Sequence, residues 1–575
     1  MKTVNFCDVI ILAALFAIGC DNNDGTDSTG VGTEESAERC SDDIDNDEDG
    51  ATDCQDKKCR KWCVEDEQWD TDDEDFQNPV IWQDLADLEV IRVDDTYYYT
   101  ASTMHYSPGA PILRSFDLVN WEYVGHSVPV LDWGSHYNLE DDRHAYVKGI
   151  WASTLGYRTS NQTFYWIGCI EFARTYIYTA TSVEGPWDKH PPINNCYYDA
   201  GLLIDDDDTM YVAYGNSEIY VAELSDDGFS EVHTELVYEA TEAMGMLEGA
   251  RFYNIDGGYY IFVTHPADAE YVLRSENGPF GPYTLHPLLD RIGSPVGGSG
   301  VPHQGGIVET QNGDWYYMAF IDAYPGGRLP VLAPLIWQDD GWPILDLVDD
   351  GWGASYPHPD VPPHHTTKPL TGIDRFEGNS LGPEWEWNHN PDNAKWSLNN
   401  GLILETATVT DDLYRARNTL THRILGPAST ATIALDVSEM ADGDQAGLSL
   451  LRDRSAWIGV RRSGDVKEIV MVTELTMDEN WNTTSTGTVV ESVPISNDDD
   501  VIWFRAFADI RPGLKQRTQF SYSIDGDSFS PIGDKFSMNK DWHFFMGYRF
   551  AVFNFATQKL GGQVIVQSFE LLDDQ

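Results

Sequence analysis

The sequence predicts an all-β protein: a five-bladed β-propeller followed by an antiparallel β-sandwich, behind a short Cys- and Asp-rich amino-terminal segment. Three observations carry this. A turn followed by an aromatic strand recurs five times at intervals of about 50 residues. Beyond residue 370 that phrase gives way to alternating strands. The 575 residues also hold 49 Gly and 28 Pro, a turn-rich composition that suits sheets better than helices. The pattern divides the chain at residues 1–20, 21–76, 77–368 and 369–575.

The first segment reads as an export signal. Lys2 precedes an apolar run from Val9 to Ile18, too short to cross a membrane as a mature helix. Ala17-Ile18-Gly19-Cys20 has the form of a bacterial lipobox, which makes Cys20 the expected acylated residue and a lipid the membrane anchor. A polar tether follows from Asp21 to Glu38. Cys40, Cys54, Cys59 and Cys63 come next; in an exported chain four such cysteines predict two disulfides, with three pairings open. Between them, Asp45-Asn46-Asp47-Glu48-Asp49-Gly50 spaces its acids as a calcium loop does. Asp45, Asp47, Asp49 and Asp56 are the candidate ligands; the alternative is a solvated acidic spacer.

The propeller rests on five hairpins. Their aromatic phrases are Asp95-Thr96-Tyr97-Tyr98, Gln162-Thr163-Phe164-Tyr165, Asp208-Thr209-Met210-Tyr211, Gly257-Gly258-Tyr259-Tyr260 and Gly313-Asp314-Trp315-Tyr316. Each follows an apolar strand such as Val90-Ile91-Arg92-Val93. Eleven to fourteen residues before the last aromatic of each phrase stand Asp87, Trp151, Asp199, Glu248 and His303. If the first strand of every blade lines the axis, these five residues meet at one end of the channel. Three acids gathered in one recess are costly to bury unless their chemistry uses a raised pKa. A carboxylate pair with room for water between them is what inverting glycoside hydrolysis requires, and Trp151 offers an apolar face to a sugar ring.

These residues lie in segments that resemble glycoside hydrolase family 43. They include YVKGIWAS (146–153), NNCYYD (194–199), LEGARFY (247–253), VPHQGG (301–306) and GRLPVLAPLIW (327–337). The resemblance implies Asp87 as general base, Asp199 as the acid that positions and modulates pKa, and Glu248 as general acid. The family's Pro-Asp-Pro reads Ala86-Asp87-Leu88 here, and Asp84 competes for the role of Asp87. The resemblance also implies that His303 helps hold a cation, calcium reached through water, and that Arg328 contacts substrate. TMHYSPGAP (103–111), LDWGSHY (131–137) and NNCYYD look closest to arabinoxylan arabinofuranohydrolases. A β-xylosidase and a non-catalytic glycan-binding lipoprotein are the alternatives.

The last 200 residues, with strands such as Thr430–Leu435 and Gln519–Ser523, read as a two-sheet sandwich. EWEWNHNPDNAKWSL (384–398) and FFMGYRFAVFNFAT (544–557) resemble the concanavalin-like domain behind these enzymes. Core packing is the expected use of its tryptophans, and which of its residues shape the site is not legible. A Cys169–Cys196 bridge would steady the loop before Asp199. With 36 Lys+Arg against 95 Asp+Glu, the charge of −59 argues against nucleic acid and anionic lipid as partners and leaves a neutral substrate, a cation or nothing specific; the resemblance makes a polysaccharide such as arabinoxylan the expected partner.

Overall fold

A computed structural model describes residues 75–362, 366–513 and 518–574. The lipobox Cys20, the four clustered cysteines and the Asp45, Asp47, Asp49 and Asp56 loop lie outside the described residues.

The all-β expectation holds. Five four-stranded antiparallel sheets follow one another along the chain, each built from consecutive hairpins. Their innermost strands are Glu89–Val93, Ile150–Arg158, Gly201–Ile204, Glu248–Ile255 and His303–Glu309, here numbered blades 1 to 5. Each inner strand neighbours the next and the fifth neighbours the first, which closes the ring. Gly201 permits one such approach: a Cβ there would lie 2.6 Å from the Ala250 carbonyl oxygen. The aromatic phrases begin the second strands, where Tyr97, Tyr99, Tyr165 and Tyr260 are buried between blades. Closure uses a clasp rather than a shared blade. Phe76–Gln77 pairs with Ser355–Tyr356. Beside it, Asn78 donates to the Leu332 and Gly353 carbonyls and accepts from Leu332 N–H, at 2.8–3.0 Å.

The sandwich has two eight-stranded sheets. One centres on Gln563–Asp573 and Ala428–Asp436. The other runs from Thr483–Pro494 through Asp444–Leu451, Arg549–Ala556 and Leu420–Arg423 to Trp385–Asn388. Its last strand, Tyr106–Ser107, comes from blade 1, with Trp387 opposite Ser107 and Asn388 opposite Tyr106. The propeller therefore supplies an edge strand to the sandwich.

Arg549–Ala556 (RFAVFNFA) is buried along its whole length, which explains its near-continuous apolar sequence. Phe550 and Val552 face the other sheet, while Ala551, Phe553 and Phe555 face Met104, Tyr106 and Tyr146 of the propeller. Trp385, Trp387 and Trp457 are core residues; Trp542, 53% exposed, is not.

The seam also buries charge. Glu386, fully inaccessible, receives Arg423 at 3.0 Å, Arg549, and His126 of blade 1 at 3.1 Å. Burial opposes its ionisation, but Arg423 and Arg549 more than offset this and hold its carboxyl well below the ordinary range. Removing one partner of such a cluster strands the others. Glu386→Ala should cost about 3–5 kcal/mol of stability in urea unfolding at pH 7. Because the folded pKa is depressed, this contribution is complete above about pH 4.5 and shrinks as the pH falls below it. A substitution that left the urea midpoint unchanged would contradict it.

Candidate active site

Asp87, Trp151, Asp199, Glu248 and His303 all lie at the start of their inner strands, and Arg328 begins the third strand of blade 5. The backbone is bent at each entry. Asp87 and Asp199 take left-handed conformations (φ 56° and 50°) two residues before their strands, a strain that clusters at functional sites. Blades 2, 4 and 5 carry register shifts just after Ile150, Glu248 and His303. Bulges of this kind re-aim side chains.

Asp87 is buried. Its Oδ1 receives Arg328 Nη1 at 2.7 Å, whereas its Oδ2 has no partner among the described residues. Arg328 is fixed along its length: Nε donates to the Phe545 carbonyl at 3.0 Å, and the guanidinium lies 5.1 Å from the Phe320 ring. Glu248, half-buried, accepts from the Tyr198 hydroxyl at 2.9 Å and from Asn216 at 3.4 Å. Burial, then the charges of Glu248 and Asp87, push the Asp199 carboxyl well above the ordinary range, against Arg251 and the Gly249 N–H. Burial also raises Glu248 and Asp87 adds to this, while Tyr198 and Arg328 oppose it. The three acids thus act on one another electrostatically, and each is held differently.

His303 is buried, and its Nδ1 lies 2.9 Å from the Val301 carbonyl, so Nδ1 carries the proton and Nε2 is the nitrogen left for another partner. Burial lowers its pKa and keeps it neutral. A hard cation takes six to eight oxygens. Among the described residues no group of three or more His, Cys, Asp or Glu is placed to hold a metal, so His303 offers one nitrogen and not a calcium cage.

Asp84 has another task. Its Oδ1 accepts Arg328 N–H at 2.8 Å and its Oδ2 accepts Gly547 N–H, from the sandwich, at 3.0 Å. Both oxygens are thereby committed to main-chain donors, unlike those of Asp87. A Cβ at Gly327 would lie 2.2 Å from Asp84 Oδ1, which accounts for that glycine.

An aromatic belt edges the site. Tyr198 stacks on Phe172 (5.8 Å), Phe172 lies 5.8 Å from Trp151, and Trp151 meets Phe545 edge-on at 5.0 Å. Trp542 follows at 5.4 Å from Phe545. Sequence reasoning found Trp151 but missed Tyr198, which stood in plain view beside Asp199. It also missed Phe172 and the sandwich residue Phe545.

Similarity to known proteins agrees with this geometry. The model of glycosyl hydrolases family 43 matches residues 76–343, and that of the β-xylosidase carboxy-terminal concanavalin A-like domain matches 373–571. A β-xylosidase of Formosa agariphila is 31% identical over 450 residues, 66% of this chain and 73% of the relative. The chain belongs to glycoside hydrolase family 43. A non-reducing end α-L-arabinofuranosidase of Bacteroides ovatus is 28% identical over 56% of this chain and 63% of its own length. A solved structure aligns with TM-score 0.84 and 50% identity over 87% of this chain and all of its own. It is described as a GH43 glycoside hydrolase whose active site was engineered to give both endo-xylanase and exo-arabinofuranosidase activity. This glycosidase accordingly carries the family's propeller and its accompanying sandwich.

The Asp84 clamp makes a stability prediction. Asp84→Ala leaves two buried N–H groups unpaired and should lower stability by about 2 kcal/mol or more, measured by chemical unfolding. An unchanged midpoint would show that water replaces the carboxylate without loss.

Proposed function

We propose that this glycosidase removes α-L-arabinofuranosyl side chains from arabinoxylan with inversion. The observation that carries the reading is the unpartnered Oδ2 of buried Asp87, in a site where Glu248 is raised toward its protonated form. Asp87 Oδ2 takes a proton from the attacking water. Glu248 gives its proton to the leaving glycosidic oxygen. Asp199 and Glu248, both raised by burial and neighbouring charge, share the proton that Glu248 delivers, and Arg328 pairs with Asp87 and bonds sugar hydroxyls. Trp151 meets the face of the sugar. The 50% identity to the engineered GH43 enzyme, described as displaying exo-arabinofuranosidase activity, supports arabinose as the departing sugar. The second reading, a β-xylosidase, is favoured by the name of the Formosa agariphila relative.

Release of arabinose rather than xylose from wheat arabinoxylan, with the anomer followed by NMR, decides between them. Asp87→Asn and Glu248→Gln should each lower kcat by at least about a thousand-fold, consistent with loss of an essential acid or base. The alkaline limb of the pH profile reports loss of the Glu248 proton. Tyr198→Phe removes a hydrogen bond that favours the ionised carboxylate, so this limb should move to higher pH. A limb that stays in place, or moves down, contradicts the assignment of Glu248.

Cys20 and the run before it support export and a lipid anchor at the cell surface or in the periplasm. The Asp45–Asp56 spacing supports calcium there, and His303 supports a water-bridged calcium. The chemistry above uses neither. Mass spectrometry of the membrane fraction should find Cys20 acylated, and the native protein should retain calcium. An unmodified Cys20 peptide, or a calcium-free protein, would remove the respective proposal.

A further inference from the structure

Phe172 is 58% exposed, although it lies one ring away from Tyr198, the residue bonded to Glu248. It occupies the tip of the turn Glu171-Phe172-Ala173 in blade 2. Glu171 and Phe172 both take left-handed conformations (φ 57° and 53°) that Asn or Gly would adopt more easily. The fold spends three attachments on holding this unfavourable turn. Glu171 accepts from Tyr137 at 2.8 Å and contacts His136 Nε2 at 2.7 Å. Cys169, at the end of the strand entering the turn, is disulfide-bonded to Cys196, two residues before Tyr198. On the returning strand, Thr175 Oγ1 accepts from Tyr197 N–H and donates to the Asn195 carbonyl. The phenyl ring is thus fastened to the segment that carries Tyr198 and Asp199, yet its surface faces solvent. A large apolar ring held rigidly in an unfavourable conformation and left uncovered beside a sugar-cleaving site is suited to stack on the apolar face of a pyranose.

We propose that Phe172 is a specificity-determining platform that receives the xylose ring bearing the departing arabinose. This rests on the functional reading above and extends it from the sugar released to the sugar left behind. The test compares kcat/KM on a singly substituted arabinoxylan oligosaccharide with that on methyl α-L-arabinofuranoside, whose aglycone has no ring. Phe172→Ala should lower the ratio of the first to the second by about ten-fold, the scale of one aromatic contact. Phe172→Trp should restore it. Thermal unfolding of each variant separates this from a loss of fold. An equal loss on both substrates would mean that Phe172 only props Tyr198, and no loss on either would mean that it touches no sugar; both overturn the proposal. If the unaltered protein releases arabinose from neither substrate, the functional reading falls first and the platform with it.

Discussion

The site depends on one buried guanidinium. Arg251, three residues after Glu248, reaches across the channel and is completely inaccessible. It donates to the Asp87 and Leu88 carbonyls of blade 1, to Ala200 of blade 3 and to Ala250 of its own strand, at 2.6–3.1 Å. Those carbonyls belong to Asp87 and the residue after it, to the residue after Asp199 and to the second residue after Glu248. Three acids supplied by three blades are therefore held in register by Arg251 through main-chain carbonyls and not through their carboxylates. A lysine, with one charged nitrogen, could not span these carbonyls as the guanidinium fork does. The closeness of blades 3 and 4 at Gly201 serves the same end.

The sandwich completes what Arg251 begins. Phe545 contributes its carbonyl to Arg328 and its ring to Trp151. Gly547 donates to Asp84, and the sandwich sheet continues into Tyr106–Ser107 of the propeller. Arg328 is thus oriented on Asp87 by contacts from both domains. The two matched family segments behave as one physical unit, because separating them would expose the apolar seam and leave Glu386, Arg423 and Arg549 without their partners across it. The propeller by itself lacks the carbonyl that fixes the Arg328 side chain.

What the sequence disclosed, and what it did not, follows from the range of the forces involved. Hairpin periodicity is local, so the five blades and the common register of Asp87, Trp151, Asp199, Glu248 and His303 were legible in the order of residues alone. Asp84 and Asp87 could not be separated by counting, because their difference lies in partners more than 200 residues away. Phe545 was illegible for the same reason. Phe172 escaped because its turn lacks the Gly and Asn that announce one. The tryptophans of the sandwich divided as packing dictates: Trp385, Trp387 and Trp457 are core, whereas Trp542, beside Phe545, reaches the belt.

The remaining question is where the site keeps its protons. Burial raises Glu89 to about 7 and Glu270 to about 8, so the channel floor holds carboxyls that are partly protonated at neutral pH. Glu89 lies 3.3 Å from Arg251, which opposes the effect of burial on it. Asp199 feels Arg251 as well, but burial and the charges of Glu248 and Asp87 act on it more strongly. Arg328 is bonded to Asp87 and not to either of the others. The two arginines thereby break the symmetry of the acids: Asp87 is the one paired with a cation, and the spare proton belongs to Asp199 and Glu248 together. Such a pair titrates as a unit rather than as two independent groups. The proton required by a leaving oxygen is present because two buried neighbouring acids do not both ionise at the same time. Division of labour among three similar carboxylates thus arises from the placement of two guanidinium groups, one beneath the acids and one beside them.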